Sequence, residues 1–150
     1  MSPTEDLSAL DALIDEAFSR INEVGNDPSM LEEPFKTIVI ITAAQGQIDN
    51  GGLRSFFECD WPGTPSYSLF VDAYERIECP NEASCIRHAV DSFGLDSPEI
   101  HAAERNAYME AHFDEKSQSV AGWEASVCGN PEVWSSLLRW ALKNGASLGT

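Results

Sequence analysis

An all-α fold, one compact domain of about six to eight helices spanning residues 1–150, is predicted by three observations. A capping residue stands directly before proline at Ser2-Pro3, Thr64-Pro65, Ser97-Pro98 and Asn130-Pro131. The capping oxygen accepts from an orphan N–H of the first turn, and proline occupies a position that needs no intrahelical donor, so each pair reads as a helix start. Between these starts apolar residues recur three and four apart, and neither a hairpin turn nor a repeat period interrupts them. With 43% hydrophobic residues, four Trp and seven Phe, the chain has the means to bury a core despite its charge. A domain of this length buries about 68–70% of its unfolded surface.

The first helix is predicted from Ser2, where Glu5 completes a capping box, to Gly25 as its stop. Leu7, Leu10, Ile14, Ala17, Ile21 and Val24 form its inner stripe. The segment Pro34 to Gln45 is ambiguous in its residues, because the β-branched run Ile38 to Thr42 suits a strand. Pro34 at its start, its length and the lack of a pairing strand favour a buried helix. From Pro65, Leu69, Phe70, Ala73, Tyr74 and Ile77 predict an amphipathic helix ending before Pro80. Asn81 is expected to cap the next, with Ile86, Ala89, Val90 and Phe93 inward and Gly94 as terminator. Residues 98–115 place Ile100, Ala107 and Ala111 on one side but Met109 and Phe113 on another, so that helix is either central or broken. A Ser/Gly-containing stretch from Lys116 to Gly122 precedes a short helical piece near Trp123 to Cys128. The last helix runs from Pro131, buries Val133, Trp134, Leu137, Leu138 and Ala141, and closes with Lys143, Asn144 and Gly145.

Charge narrows the function. Nine Lys and Arg against twenty-five Asp and Glu give a net charge of −16. The excess is spread along the chain: residues 1–60 hold twelve acids and three bases, the remainder thirteen and six. Direct nucleic-acid binding is excluded on this reading, since phosphate contacts require clustered Lys and Arg. The N-terminus lacks a basic stretch followed by an apolar one, and no apolar run is long enough to span a bilayer, so a cytoplasmic protein without membrane contact is expected. There Cys59, Cys79, Cys85 and Cys128 are expected as thiols. Their spacings match no zinc or Cys-x-x-Cys pattern, although His88 three residues after Cys85 has the chemistry to complete a metal site. No metal or cofactor is expected.

Catalytic signatures are missing: there is no Gly-x-Ser-x-Gly elbow, dinucleotide fingerprint or His-Glu-x-x-His pair. His101 and Glu104 share a helical face, which suits proton transfer or metal binding as well as a surface contact. The expectation is a non-enzyme, with a small metal-dependent hydrolase as the alternative of another class.

The most distinctive local stretch is Asn50-Gly51-Gly52-Leu53-Arg54-Ser55-Phe56-Phe57. Adjacent glycines permit positive φ or a close backbone approach before a short helix that Phe56 and Phe57 anchor in the core. A phosphate-cradling loop is the sharper reading, opposed by acidic flanks and by the lack of a GKS or GKT ending. With Ser92-Phe93-Gly94 closing a later helix, the chain resembles a bacterial family of small acidic helical proteins, largely of unknown function, that includes a DNA mimic. The resemblance covers roughly residues 5–95, and Leu53 departs from the aromatic residue the family shows after the glycines. It implies an all-helical fold, and DNA mimicry through the acidic surface rather than through the shared motif.

Two acidic rows are candidates for that surface. Residues three or four apart on a helix project side by side, with β-carbons about 5–6 Å apart. Asp72, Glu75 and Glu78 recur every three residues, and Glu5, Asp15, Glu16 and Glu23 lie on the outer side of the first helix with only Arg20 near them. This spacing is of the order of that between neighbouring phosphates, and a helix selected for stability alone more often alternates acids with Lys. The rows therefore read either as solvated surface or as a phosphate-like array for a basic protein, a DNA-binding protein or, as an immunity protein would, a nuclease toxin.

Overall fold

In the computed structural model, which describes residues 3–61, 64–113 and 118–146 and side chains from Ser8 onward, seven α-helices and two short 3₁₀ turns account for the secondary structure, with no strand among the described residues. They are α1 (Pro3–Glu23), α2 (Phe35–Glu58), α3 (Ser68–Arg76), α4 (Pro80–Ser92), α5 (Ala102–His112), α6 (Gln118–Val127) and α7 (Pro131–Lys143). The all-α expectation holds. Ser2 and residues 114–117 lie outside the described residues.

α2 is the central element. Ile38, Val39, Ile40 and Ile41 are all buried, on every side of the helix, which is the pattern of a helix enclosed by others rather than of a strand. α1 and α3 both pack on α2, with α7 against α1, α4 against α3 and α6 against α4. Its start is fixed by Glu33, whose carboxylate accepts from the Thr37 N–H at 2.9 Å and the Thr37 hydroxyl at 2.8 Å. Arg76 at the end of α3 donates to Thr37 Oγ1 at 2.8 Å, so the same corner ties α3 to α2.

Several local expectations need correction. Thr64 does not cap α3: it has φ +46, and the Ser66 hydroxyl instead accepts from the Ser68 N–H at 3.3 Å. Asn81 does not cap α4 either, since Cys79 precedes Pro80, which takes the first helical position. Ser97 makes no side-chain cap; Pro98–Ile100 is a 3₁₀ turn, and His101 breaks the run before α5. The inner face of α5 is Arg105, Met109 and Phe113, whereas Ile100, Ala107 and Ala111 are exposed. A buried arginine among these i, i+4 positions disguised the face. Gln118 to Gly122 belong to α6, not to a loop. In α1, Leu13 joins Leu10, Ala17 and Ile21 in the core, and Ile14 is half-buried. Asn130 does cap α7, its side chain accepting from the Glu132 N–H at 3.0 Å, and Gly145 ends it at φ +102.

Candidate functional site

The Gly-Gly segment divides α2 into two helical pieces. Gly51 (φ −144, ψ 18) and Gly52 (φ 73, ψ −172) leave helical geometry, and the second piece restarts at Leu53. Its first turn is met by a carboxylate from this chain: the Leu53 N–H donates to Glu124 Oε2 at 3.1 Å. The positive φ favours glycine, and a β-carbon at Gly52 would push the Glu124 carboxylate aside from its bond to Leu53. The loop does hold an anion, and the anion is internal. Phe56 and Phe57, fully buried, then anchor the second piece against Tyr67, Phe70, Phe93 and Phe113. Asn50, at the end of the first piece, is exposed.

One turn earlier a buried polar chain supports the same junction. The Tyr74 hydroxyl donates to Gln45 Oε1 at 2.7 Å, and Gln45 Nε2 donates to the Val127 carbonyl and to Asp49 Oδ1, each at 2.8 Å. Asp49 also accepts from the Gly129 N–H at 2.7 Å. These bonds join α2 to α3 and to the end of α6.

The row on α3 is not a continuous stripe. Asp72 and Glu75 are exposed on α3, but Glu78 lies beyond the helix end in the left-handed region at φ +68. The Cys79 N–H bonds back to the Tyr74 carbonyl at 2.9 Å, closing α3 before the third acid of the spacing is reached. Glu75 is also neutralised by Arg87 of α4. On α1, Asp15, Glu16 and Glu23 are exposed, while the side chain of Glu5 lies outside the described residues. Glu16 pairs with Arg20 at 2.9 Å, and the Arg20 guanidinium lies 4.1 Å from the centroid of the Phe35 ring. The two rows sit on helices that both pack on α2, with α1 also against α7 and α3 also against α4.

Tertiary packing gathers a different set of acids. A groove of about 250 Å³ beside α3 and α4 is lined by Asp72, Asp91, Asp96 and Glu99, over a floor that includes Val71, Val90 and Leu95. Arg87 is the base that lines it, and its guanidinium is engaged by Glu75. Asp91, Asp96 and Glu99 carried no sequence signal, because they fall at the end of α4, in the following loop and in the 3₁₀ turn, and only the α3–α4 contact brings them to Asp72.

Several other cations are engaged within the chain. Arg54 pairs with Glu58 at 3.3 Å, Arg76 with Glu33 at 3.6 Å, and Arg105 is buried. Each of these surface pairs contributes little to stability, but each removes a positive charge from what a partner meets. Over residues 29–144 the chain matches the family described as DMP19-like protein. The chain belongs to that family. The DMP19-like match starts after α1 and runs through α7, well past residue 95, where the sequence resemblance ended. Packing accounts for the longer unit, since the Gly-Gly segment is completed by Glu124 of α6 and the Gln45 chain by Val127 and Gly129. No curated protein and no solved structure matches the chain.

The other candidate chemistry is dispersed. No three His, Cys, Asp or Glu side chains among the described residues converge to hold a metal. His101 Nδ1 lies 4.0 Å from Glu104 Oε2, with both side chains exposed. The four cysteines are free; burial pushes the Cys79 and Cys128 thiols up to about 11, with the Glu124 carboxylate adding to the effect at Cys128. No helix among the described residues is long and apolar enough to cross a membrane.

Proposed function

We propose that the chain is a non-catalytic acidic binding protein that occupies the nucleic-acid-binding surface of a basic protein in place of DNA. The observation that carries this reading is the convergence of Asp72, Asp91, Asp96 and Glu99 on one groove, in a member of a family that includes a DNA mimic. Carboxylates drawn from α3, α4 and the 3₁₀ turn sit at separations set by tertiary packing rather than by one helix. Such an array presents negative charge in two dimensions, as a duplex backbone does. The cost of bringing these acids together is the like-charge repulsion that a basic partner relieves. Long-range attraction between a protein of net charge −16 and a cationic groove also speeds encounter.

The test is affinity capture from an extract of the source organism, followed by displacement with duplex DNA. A basic DNA-binding protein that is retained at low salt and released by DNA is the expected result. Retention of a nuclease whose activity the chain blocks would assign the immunity reading instead. Capture of a partner that duplex DNA does not displace would count against both.

A further inference from the structure

Arg105 is out of place in an acidic protein. Only 3% of it is exposed, it forms no ion pair among the described residues, and its Nε–H has no hydrogen-bond partner. One guanidinium nitrogen donates to the Pro98 carbonyl at 2.8 Å and the Glu99 carbonyl at 3.2 Å, which fixes the side chain but leaves its charge unbalanced. A buried cation without a carboxylate is costly, and a well-placed anion offsets that cost.

The space for an anion is present. Arg105 lines a cavity of about 400 Å³ whose walls include Trp61, Tyr67 and Ile100 and whose acidic side chains are Asp60 and Glu99. This volume lies in the range of small-ligand pockets. The aromatic walls are fixed before any ligand arrives: Trp61 Nε1 donates to the Phe56 carbonyl at 3.2 Å, its ring packs on Phe70, and Tyr67 stacks edge-on to the buried Phe57. Burial pushes the Tyr67 phenol up to about 12, so it remains a neutral hydroxyl.

The lining also selects the ligand's charge. A bare anion on Arg105 would share the cavity with Asp60 and Glu99 on a chain of net charge −16, whereas a zwitterion carries no net charge and can satisfy both signs. We propose that this cavity binds a free α-amino acid with an apolar or aromatic side chain: its carboxylate on Arg105, its ammonium on Asp60 and Glu99, its side chain against Trp61, Tyr67 and Ile100. The site shares Tyr67 and Glu99 with the acidic groove, but it requires no DNA-binding partner.

Calorimetric titration of the full chain with L-tryptophan, L-phenylalanine and L-leucine tests this, with 3-phenylpropionate, phenethylamine and inorganic phosphate as probes that lack one charge or the apolar body. Saturable binding of at least one amino acid is expected. Loss of either charged group should weaken it about 10- to 100-fold, the range for a hydrogen bond to a charged group. Arg105→Gln should weaken it by a similar factor. Because that variant carries the risk of misfolding, Ala102→Trp is the second one: Ala102 is exposed, lines the cavity and begins α5, so the indole fills the space without entering the core. That variant should keep the parent's circular dichroism and lose binding. No saturable heat with any of the amino acids, 3-phenylpropionate or phosphate binding as tightly as phenylalanine, or unchanged binding in Ala102→Trp would each overturn the assignment.

Discussion

Leu53 and Glu124, seventy-one residues apart, meet where the Leu53 N–H donates to the Glu124 carboxylate at 3.1 Å. The contact explains why a glycine stands at position 52, where the helix is interrupted. A helix restarting in the interior exposes orphan N–H groups, and the partial positive charge at its first turn favours a carboxylate. Glu124 supplies that carboxylate, and Gly52 supplies the room for it.

Gly52→Val is therefore expected to destabilise the fold by about 2–4 kcal/mol, combining backbone strain at φ +73 with loss of the Leu53 bond. Urea unfolding measures it. Gly52→Val and Glu124→Ala should be strongly non-additive, because removing the carboxylate also removes the clash. Strict additivity in the double variant would show that Glu124 does not sit over Gly52.

The Gln45 chain gives a second stability prediction. Tyr74→Phe removes the donor to Gln45 Oε1 while keeping the ring in a fully buried position, so a loss of about 1–3 kcal/mol is expected from the unpaired amide oxygen. A Tyr74→Phe protein as stable as the parent would mean that the amide finds another partner at no cost.

Alkaline pH should loosen the fold through two thiols. Burial raises Cys79 and Cys128 from the ordinary 9.0 to about 11, so between these values the unfolded chain releases protons that the folded chain retains. Their contribution to stability is fully present below the unfolded value and falls as the pH rises toward the folded one. Unfolding in urea under reducing conditions should show a steeper decline across this window for the parent than for the Cys79→Ala, Cys128→Ala double variant. Identical slopes would remove the thiols from the account.

Helix content and the buried character of Ile38 to Ile41 were legible in the sequence, because capping pairs, glycine stops and apolar spacing are local signals. The α5 face was not, since Arg105 occupies a core position that the apolar pattern cannot mark. Nor was the end of α3, where Glu78 takes a left-handed conformation more common in glycine and so breaks a row that spacing alone made continuous. The acidic residues that do converge, Asp72 with Asp91, Asp96 and Glu99, come from separate elements, and their meeting depends on how α3 lies on α4. The internal ligand of the Gly-Gly loop was hidden for the same reason: Glu124 arrives from a helix far along the chain.

The central claim is tested most directly by replacing Asp72, Asp91 and Asp96 together with Asn and measuring affinity for the captured basic partner over a range of salt. Glu99 is left in place because it also lines the Arg105 cavity, and Glu75 because its loss would free Arg87. The parent's affinity should fall steeply with salt, since exposed charge pairs are screened beyond about 8 Å at physiological ionic strength. The triple variant should keep its fold, bind more weakly at low salt and show a shallower salt dependence. Equal affinity of parent and variant at low and high salt alike would contradict the account and leave the groove as solvated surface.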